Sequence, residues 1–383
     1  MKKTLSFAFA VLIIAATPLE VRSGPANGFS DVPQNYWAEE AINYVAADRD
    51  WLRDYGNGEF RPEELLTRRQ EAHALVLAFA PDEEPDPQLV FTDLPPTDPS
   101  YRYANVAVKL RWMTAENGAF RPDDPVTKES LDGALTRALG LKRELRGLRK
   151  IQTADGTRLS RPPGFPQLVL AHELGLHFNH PTDAEARELL PSTNVLRADA
   201  AYGLFRAATA VGTWRMSSLE RYRSVVLATM TPEQLPVAEF ALAHVGYPYV
   251  WGGEWNAPTA NGYCCGGQPQ GGFDCSGFAW WVLREPTDSW DNTAYRPYQG
   301  WPLPERRSRD MAAATRKKIG FGKLQPLDLM FFAGETGDVN HAGLYLGSEW
   351  MVHSSGGGGG VSLGWLDDGY YRERFTWARR LIA

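Results

Sequence analysis

The sequence is short of cysteine: three residues in 383, Cys264, Cys265 and Cys275, which excludes a disulfide-stapled scaffold. Beyond the first residues it lacks any apolar stretch approaching the ~18 residues of a membrane helix, so no span is expected in the mature chain. It also lacks a basic excess. Forty Lys and Arg against 46 Asp and Glu leave a net charge of −6, which argues against binding nucleic acid. Polar bias is missing too, since 43% hydrophobic and 22% charged residues exclude wholesale disorder. Thirteen Trp, 27 Pro and 36 Gly instead indicate a loop-rich protein with large aromatic anchors. At roughly 150 residues per domain the length suggests two or three domains.

Lys2 and Lys3 precede an apolar run over residues 5–16, and Val21-Arg22-Ser23-Gly24 follow. That layout predicts a secretory signal peptide over 1–24, and hence a secreted protein of the cell envelope.

A repeat comes next. Phe29-Ser30-Asp31-Val32-Pro33 returns 62 positions later as Phe91-Thr92-Asp93-Leu94-Pro95. Gly58-Glu59-Phe60-Arg61-Pro62 returns 60 positions later as Gly118-Ala119-Phe120-Arg121-Pro122. Thr67-Arg68 and Thr127-Lys128 then open runs of helical period, and a worn third copy ends in Val195-Leu196-Arg197 before another helix. Each unit reads as helix, Gly-rich loop, helix, and three together could share a core.

These motifs resemble S-layer homology modules. The resemblance implies an all-α, three-unit helical module whose grooves hold peptidoglycan or a secondary cell-wall polymer. It implies that Trp37 stacks on sugar and that Arg68, Lys128 and Arg197 meet anionic groups. His172 and His177 in the third unit mimic a zinc motif but stand five apart, about 140° round a helix, so no metal or other cofactor is expected.

After Thr231-Pro232-Glu233 the texture changes. Asp274-Cys275-Ser276-Gly277-Phe278 puts a cysteine at a loop-to-helix junction, where a helix N-terminus favours a thiolate. Cys275 is therefore expected to titrate below the free-cysteine value of about 8.5. His341 starts an alternating strand pattern, and Trp350-Met351-Val352-His353 reads as the returning strand. A three-residue turn over 347–349 sets 343 opposite 353 and puts both histidines on one face. A two-residue turn puts them on opposite faces. A nucleophile, a base and an orienter of that base follow the triad logic.

Tyr249-Val250-Trp251-Gly252-Gly253, Asp-Cys-Ser-Gly-Phe, Pro326-Leu327-Asp328-Leu329 with Phe331-Phe332, and His341-Ala342-Gly343-Leu344-Tyr345-Leu346-Gly347 stand in the order found in NlpC/P60 cysteine peptidases. The family usually has Gly where Leu327 stands. The resemblance implies an α+β papain-like domain with Cys275 as nucleophile, His341 as base and His353 as its orienter. It further implies Tyr249 near the oxyanion and Asp274 and Ser276 at the amino end of the substrate. The substrate class implied is a peptidoglycan stem peptide, cut between γ-D-glutamate and a diamino acid.

The reading is thus a multidomain secreted wall hydrolase: signal peptide 1–24, helical units 25–85, 86–145 and 146–212, linker 213–234, and peptidase 235–383. Two alternatives are a catalytically silent wall-binding protein and a thiol amidase or acyltransferase acting on another substrate. Cys264 and Cys265 are free, joined to each other, or joined elsewhere; a bond to Cys275 would silence the enzyme. Gly356 to Gly360 reads as a mobile rim of the cleft.

Overall fold

The computed structural model describes residues 28–283 and 303–382, apart from positions 54, 261, 263, 269 and 368. The expected signal peptide lies outside the described residues.

The repeated motifs meet because one carboxylate holds the other motif's turn. Asp31 accepts the N–H of Phe60 at 2.8 Å and of Arg61 at 2.6 Å. Asp93 does the same for Phe120 and Arg121, at 2.8 and 2.7 Å. Arg61 and Arg121 sit at φ 58° and 56°, a left-handed conformation that non-glycine residues adopt only when held. The first unit contains α1 (Glu39–Ile42), continued by a π turn over Asn43–Asp48, and α2 (Arg68–Phe79). The second contains α3 (Tyr101–Lys109) and α4 (Lys128–Ala138). Then come α5 (Lys142–Leu148), α6 (Phe165–Leu174) and α7 (Arg197–Ala210).

Helix starts leave N–H groups without partners inside the helix, and here the next unit supplies them. Arg68 and Arg69 donate to the carbonyls of Asp124 and Pro122, Lys128 and Glu129 to Thr193 and Pro191, and Arg197 and Ala198 to Glu64 and Pro62. The last pair returns to the first unit. Leu66 N–H donates to Val195, Val195 to Val126 and Val126 to Leu66, closing a ring of three hydrogen bonds at 2.9–3.0 Å.

The basic residues that open these helices serve the same closure. Arg197 is 1% exposed, and its guanidinium donates to the Phe60 and Arg53 carbonyls at 2.8 Å. Arg68 reaches the Phe120 and Thr114 carbonyls at 2.8 and 2.5 Å. Lys128, 7% exposed, donates to Gly246 O at 3.3 Å. Each of the three thus ties its helix start to another part of the chain. Trp37 is half-buried against the rings of Phe178, His180 and Tyr202, at 4.8–6.1 Å, and so packs between units.

The helical part is not purely α. β1 (Gln152–Thr153) pairs in parallel with β2 (Val226–Leu227), which lies in the stretch read as a linker. That stretch also carries α8 (Trp214–Ser218) and a 3₁₀ turn over Leu219–Arg223. Leu219, Tyr222, Val225 and Leu227 are buried, with the Tyr222 ring 5.3 Å from that of Trp350, so this stretch is packed through those side chains. One hydrophobic cluster runs from Phe29 to Ile382 through both halves.

The C-terminal half begins with α9 (Gln234–Leu242) and the short pair β3 (Glu254–Trp255) and β4 (Gly272–Phe273). α10 (Cys275–Leu283), wholly buried, packs against two strands of a five-stranded antiparallel sheet. α11 (Ser308–Ala313) precedes that sheet. Its strands are β5 (Leu329–Ala333), β6 (Val339–Gly347), β7 (Trp350–Ser355), β8 (Gly360–Trp365) and, after α12 (Tyr370–Arg374), β9 (Phe375–Arg379). The order is β8-β7-β6-β5-β9, with α10 against β6 and β7. Leu327 takes φ 66°, which explains why glycine suits that position.

Replacing Asp31 with Ala strips the acceptor from two turn N–H groups and should cost about 2 kcal/mol. Denaturant unfolding of the full chain checks this; an unchanged midpoint would show that the turn holds itself.

Candidate active site

The register of β6 on β7 decides whether the two histidines meet. Ser348 and Glu349, at φ 52° and 69°, form a two-residue turn, the kind that puts 341 and 353 on opposite faces in a regular ladder. Gly347 pairs with Trp350, but Tyr345 then pairs with Met351, leaving Leu346 as a bulge. The extra residue restores the parity and brings His353 against Gly343, where a Cβ would lie 3.2 Å from that of His353. His341 Nε2 and His353 Nδ1 are 2.9 Å apart. The bulge is pinned from the packed 213–234 segment: Ala228 N–H donates to the Leu346 carbonyl at 3.1 Å. Gly347 lies so close to Ala228 that any Cβ would meet its backbone.

Cys275 opens α10, capped by Asp274, whose Oδ1 accepts Gly277 N–H at 2.6 Å. Its Sγ lies 3.8 Å from the Asn340 carbonyl, one residue before His341. With Nε2 committed to His353, Nδ1 is the His341 nitrogen left for the thiol. Cys275 is free but buried, and burial, with the Asp274 charge beside it, pushes its thiol up to about 12. The lowered value expected of a helix N-terminus is overturned because desolvation outweighs the helix-end field. Burial pushes His341 down to about 4 and His353 well below its usual range. The resting pair is therefore neutral thiol and neutral imidazole.

Arg306 is the residue that motif reading missed. It is 7% exposed, and its guanidinium donates to Glu254 at 2.6 Å, to both Asp274 oxygens at 3.0 and 3.2 Å, and to Ser276 Oγ at 2.9 Å. It also donates to the Gly252 and Gly253 carbonyls. Asp274 and Ser276, expected to meet the substrate's amino end, are thus spent on Arg306 and on the α10 cap. A lone arginine outside any motif gave no signal; the only clue was that buried Glu254 and Asp274 need a cation. Tyr249 stands beside the nucleophile loop, 3.4 Å from where a Cβ on Gly356 would be, and burial raises its phenol. The glycine run is an ordered 3₁₀ turn over Gly356–Gly358 leading into β8.

Cys264 and Cys265 are bonded to each other. His177 turns away from His172 because α6 ends at left-handed Gly175; its Nε2 pairs with Asp132 at 2.6 Å. No cluster of three or more His, Cys, Asp or Glu fit to hold a metal occurs among the described residues. His244, pushed down to about 4 by burial, accepts from Trp281 Nε1 at 3.0 Å and is structural.

A cysteine at a capped helix start, beside paired histidines on an antiparallel sheet, defines a thiol–imidazole domain of the helix-on-sheet kind. Residues 246–380 match the NlpC/P60 family, and residues 28–70 match the S-layer homology domain. The probable peptidoglycan endopeptidase LytE of Bacillus subtilis is 30% identical over 140 residues, 37% of this chain and 32% of LytE. The γ-D-glutamyl-L-lysine dipeptidyl-peptidase of the same organism is 29% identical over 141 residues, 36% of this chain and 38% of that protein. A probable endopeptidase of Mycobacterium tuberculosis is 33% identical over 123 residues, 32% of this chain and 24% of its own length. The chain thus spans about a quarter to two fifths of these relatives. A solved NlpC/P60 family protein from Bacillus cereus is 24% identical, with 41% of this chain and 42% of that one covered at a TM-score of 0.30.

Two pH effects follow. Iodoacetamide labelling of Cys275 in the resting chain should be slow at pH 6 and rise about tenfold per unit from pH 7 to 9; fast labelling already saturated at pH 6 would contradict the buried thiol. His244 and His341 sit near 4 when folded and near 6.5 when unfolded. Between those values the unfolded chain binds more protons, so stability is lost as pH falls from 6.5 toward 4. Urea midpoints across that range measure it.

Proposed function

We propose that the protein is a secreted cell-wall hydrolase: a cysteine endopeptidase of peptidoglycan stem peptides, cutting after γ-D-glutamate and held at the envelope by three S-layer-homology-like units. The observation that carries this reading is the 2.9 Å His341–His353 pair beside the Asn340 carbonyl that Cys275 touches. In the cleavage step the Cys275 proton passes to His341 as sulfur bonds the scissile carbonyl carbon. His341 returns that proton to the leaving amine as the C–N bond breaks. Water then hydrolyses the thioester and restores the thiol. His353 orients the imidazole. Tyr249 and the Cys275 N–H serve the oxyanion.

For anchoring, the ring of helix starts supports a three-unit module, and a cavity of about 370 Å³ between the first two units is its candidate polymer groove. Tyr55, Tyr103, Arg69 and Arg197 line that groove, aromatic rings and guanidinium groups of the kind that suit an anionic sugar polymer. No helix among the described residues is long and apolar enough to cross a membrane. The closed, high-pKa Cys275 favours a second reading, a silent wall-binding protein.

Digestion of purified peptidoglycan, followed by mass analysis, separates the two. Wild-type chain should release cut stem peptides, and Cys275→Ala and His341→Ala should each lose at least about 10³-fold. His353→Ala should lose less, and His353→Asn should recover part of it. Wall binding with no new amino termini from wild-type chain would leave only the silent reading.

A further inference from the structure

Residues 142–150 hold five Lys and Arg against one Glu, in a chain whose net charge is −6. The helix sorts them. Glu144, Leu145, Gly147 and Leu148 are buried on one side of α5. Lys142, Arg143, Arg146, Arg149 and Lys150 are all exposed. At about 100° per residue these five fall within about 120° of the helix circumference, so they form one basic stripe.

The stripe is left without counter-charge. Glu144 turns inward and accepts Arg223 Nε at 2.7 Å, and Arg223 also pairs with Glu220 at 3.1 Å. None of the five stripe cations makes an ion pair among the described residues. Gly147 lets a second wall come close: a Cβ there would fall on the Tyr222 carbonyl and the Arg223 backbone. The 3₁₀ turn over Leu219–Arg223 therefore lies directly on α5, and a hollow of about 310 Å³ forms between Arg143, Arg146, Lys150 and Arg223.

What such a surface holds follows from its donors. Lysine and arginine side chains donate and cannot accept. The hollow offers no side-chain acceptor to a sugar hydroxyl, so it reads negative charge alone. α8 runs straight into the same 3₁₀ turn, and Trp214 at its start is 71% exposed, with Val211 near it at 60%. Cations draw a protein to an anionic bilayer, and an exposed tryptophan seats at the headgroup level. A dissolved polyanion would use the cations but not the indole.

We propose that α5 and the turn packed on it form a docking surface for a membrane rich in anionic phospholipid, with Trp214 as its interfacial anchor. These residues lie between the two matched stretches, 28–70 and 246–380, so the surface belongs to neither family's pattern. It does not depend on the peptidase reading.

The test uses the chain from residue 25 onward, which contains every described residue and omits the apolar run over 5–16, which would itself bind lipid. It is sedimented with vesicles of phosphatidylglycerol and phosphatidylcholine in equal parts, and with phosphatidylcholine alone. Binding to the mixed vesicles should be at least about thirtyfold tighter, and should fade as salt rises from about 0.05 to about 0.5 M. Arg143→Gln, Arg146→Gln and Lys150→Gln together should remove at least about thirtyfold of it, at about fivefold per charge. Arg143→Lys with Arg146→Lys keeps the charge and should bind like the unaltered chain. Arg316→Gln with Lys317→Gln removes two exposed charges elsewhere and should change binding less than about twofold. Trp214→Ala should weaken vesicle binding about fivefold and leave binding of soluble polyphosphate unchanged. Equal binding to both kinds of vesicle, full binding by the triple Gln variant, or an equal loss on removing Arg316 and Lys317 overturns the surface. Binding of polyphosphate without binding of vesicles overturns the membrane and assigns the stripe to a dissolved polyanion.

Discussion

The buried guanidinium of Arg306 is the constraint on which the rest of the site depends. A cation with 7% exposure is tolerable only if its donors are filled, and Glu254, Asp274, Ser276 and two glycine carbonyls fill them. Those partners come from the loop before β3, the short β3–β4 pair and the first turn of α10. Fixing them fixes where Cys275 emerges. Gly277 is required in the same packing, since a Cβ there would fall on the Gly253 carbonyl and the Arg306 guanidinium. The glycines of Trp-Gly-Gly have other causes: Gly252 takes φ 71°, and a Cβ on Gly253 would meet the Gly272 carbonyl and Val250.

The second organising element is the contact between the helical units and the sheet. The helix starts close a hydrogen-bonded ring, and the third unit faces the catalytic half. Lys128 donates to the Gly246 carbonyl and Leu168 packs against Gly246. Glu185 accepts the Trp251 N–H at 2.6 Å, and Ala228 pins the bulge in β6, the strand that carries His341. A free linker would allow the halves to move independently. Here the connecting segment buries Leu219, Tyr222, Val225 and Leu227 in a hydrophobic cluster shared by both halves, and the cavity beside His341 has walls from both.

Motif residues whose roles are local were legible. Asp274 with Cys275, the strand pattern from His341 and the Phe-Ser-Asp and Phe-Arg-Pro pairs each encode a cap, a ladder or a turn within a few residues. The ties that Arg68, Lys128 and Arg197 make within the chain were not legible, for a physical reason. Charge at a helix start is visible in sequence, but whether the side chain turns to solvent or to a neighbouring unit's carbonyl depends on what packs there. The pKa of Cys275 was misread likewise: the helix-end field is local, and the desolvation that outweighs it comes from the surrounding core.

The sequence by itself determined the order of parts, the candidate nucleophile and the two histidines, because spacing and residue type define helix starts and strand faces. It did not determine that the histidines share a face, since a two-residue turn predicts the reverse and only the bulge at Leu346, held by Ala228, corrects it. Nor did it determine Arg306 as the clasp, or that His172, Glu173 and Arg221 line the cavity beside His341. Those facts belong to tertiary structure, because each depends on segments far apart in the chain being brought together by burial, which leaves no local periodicity to read.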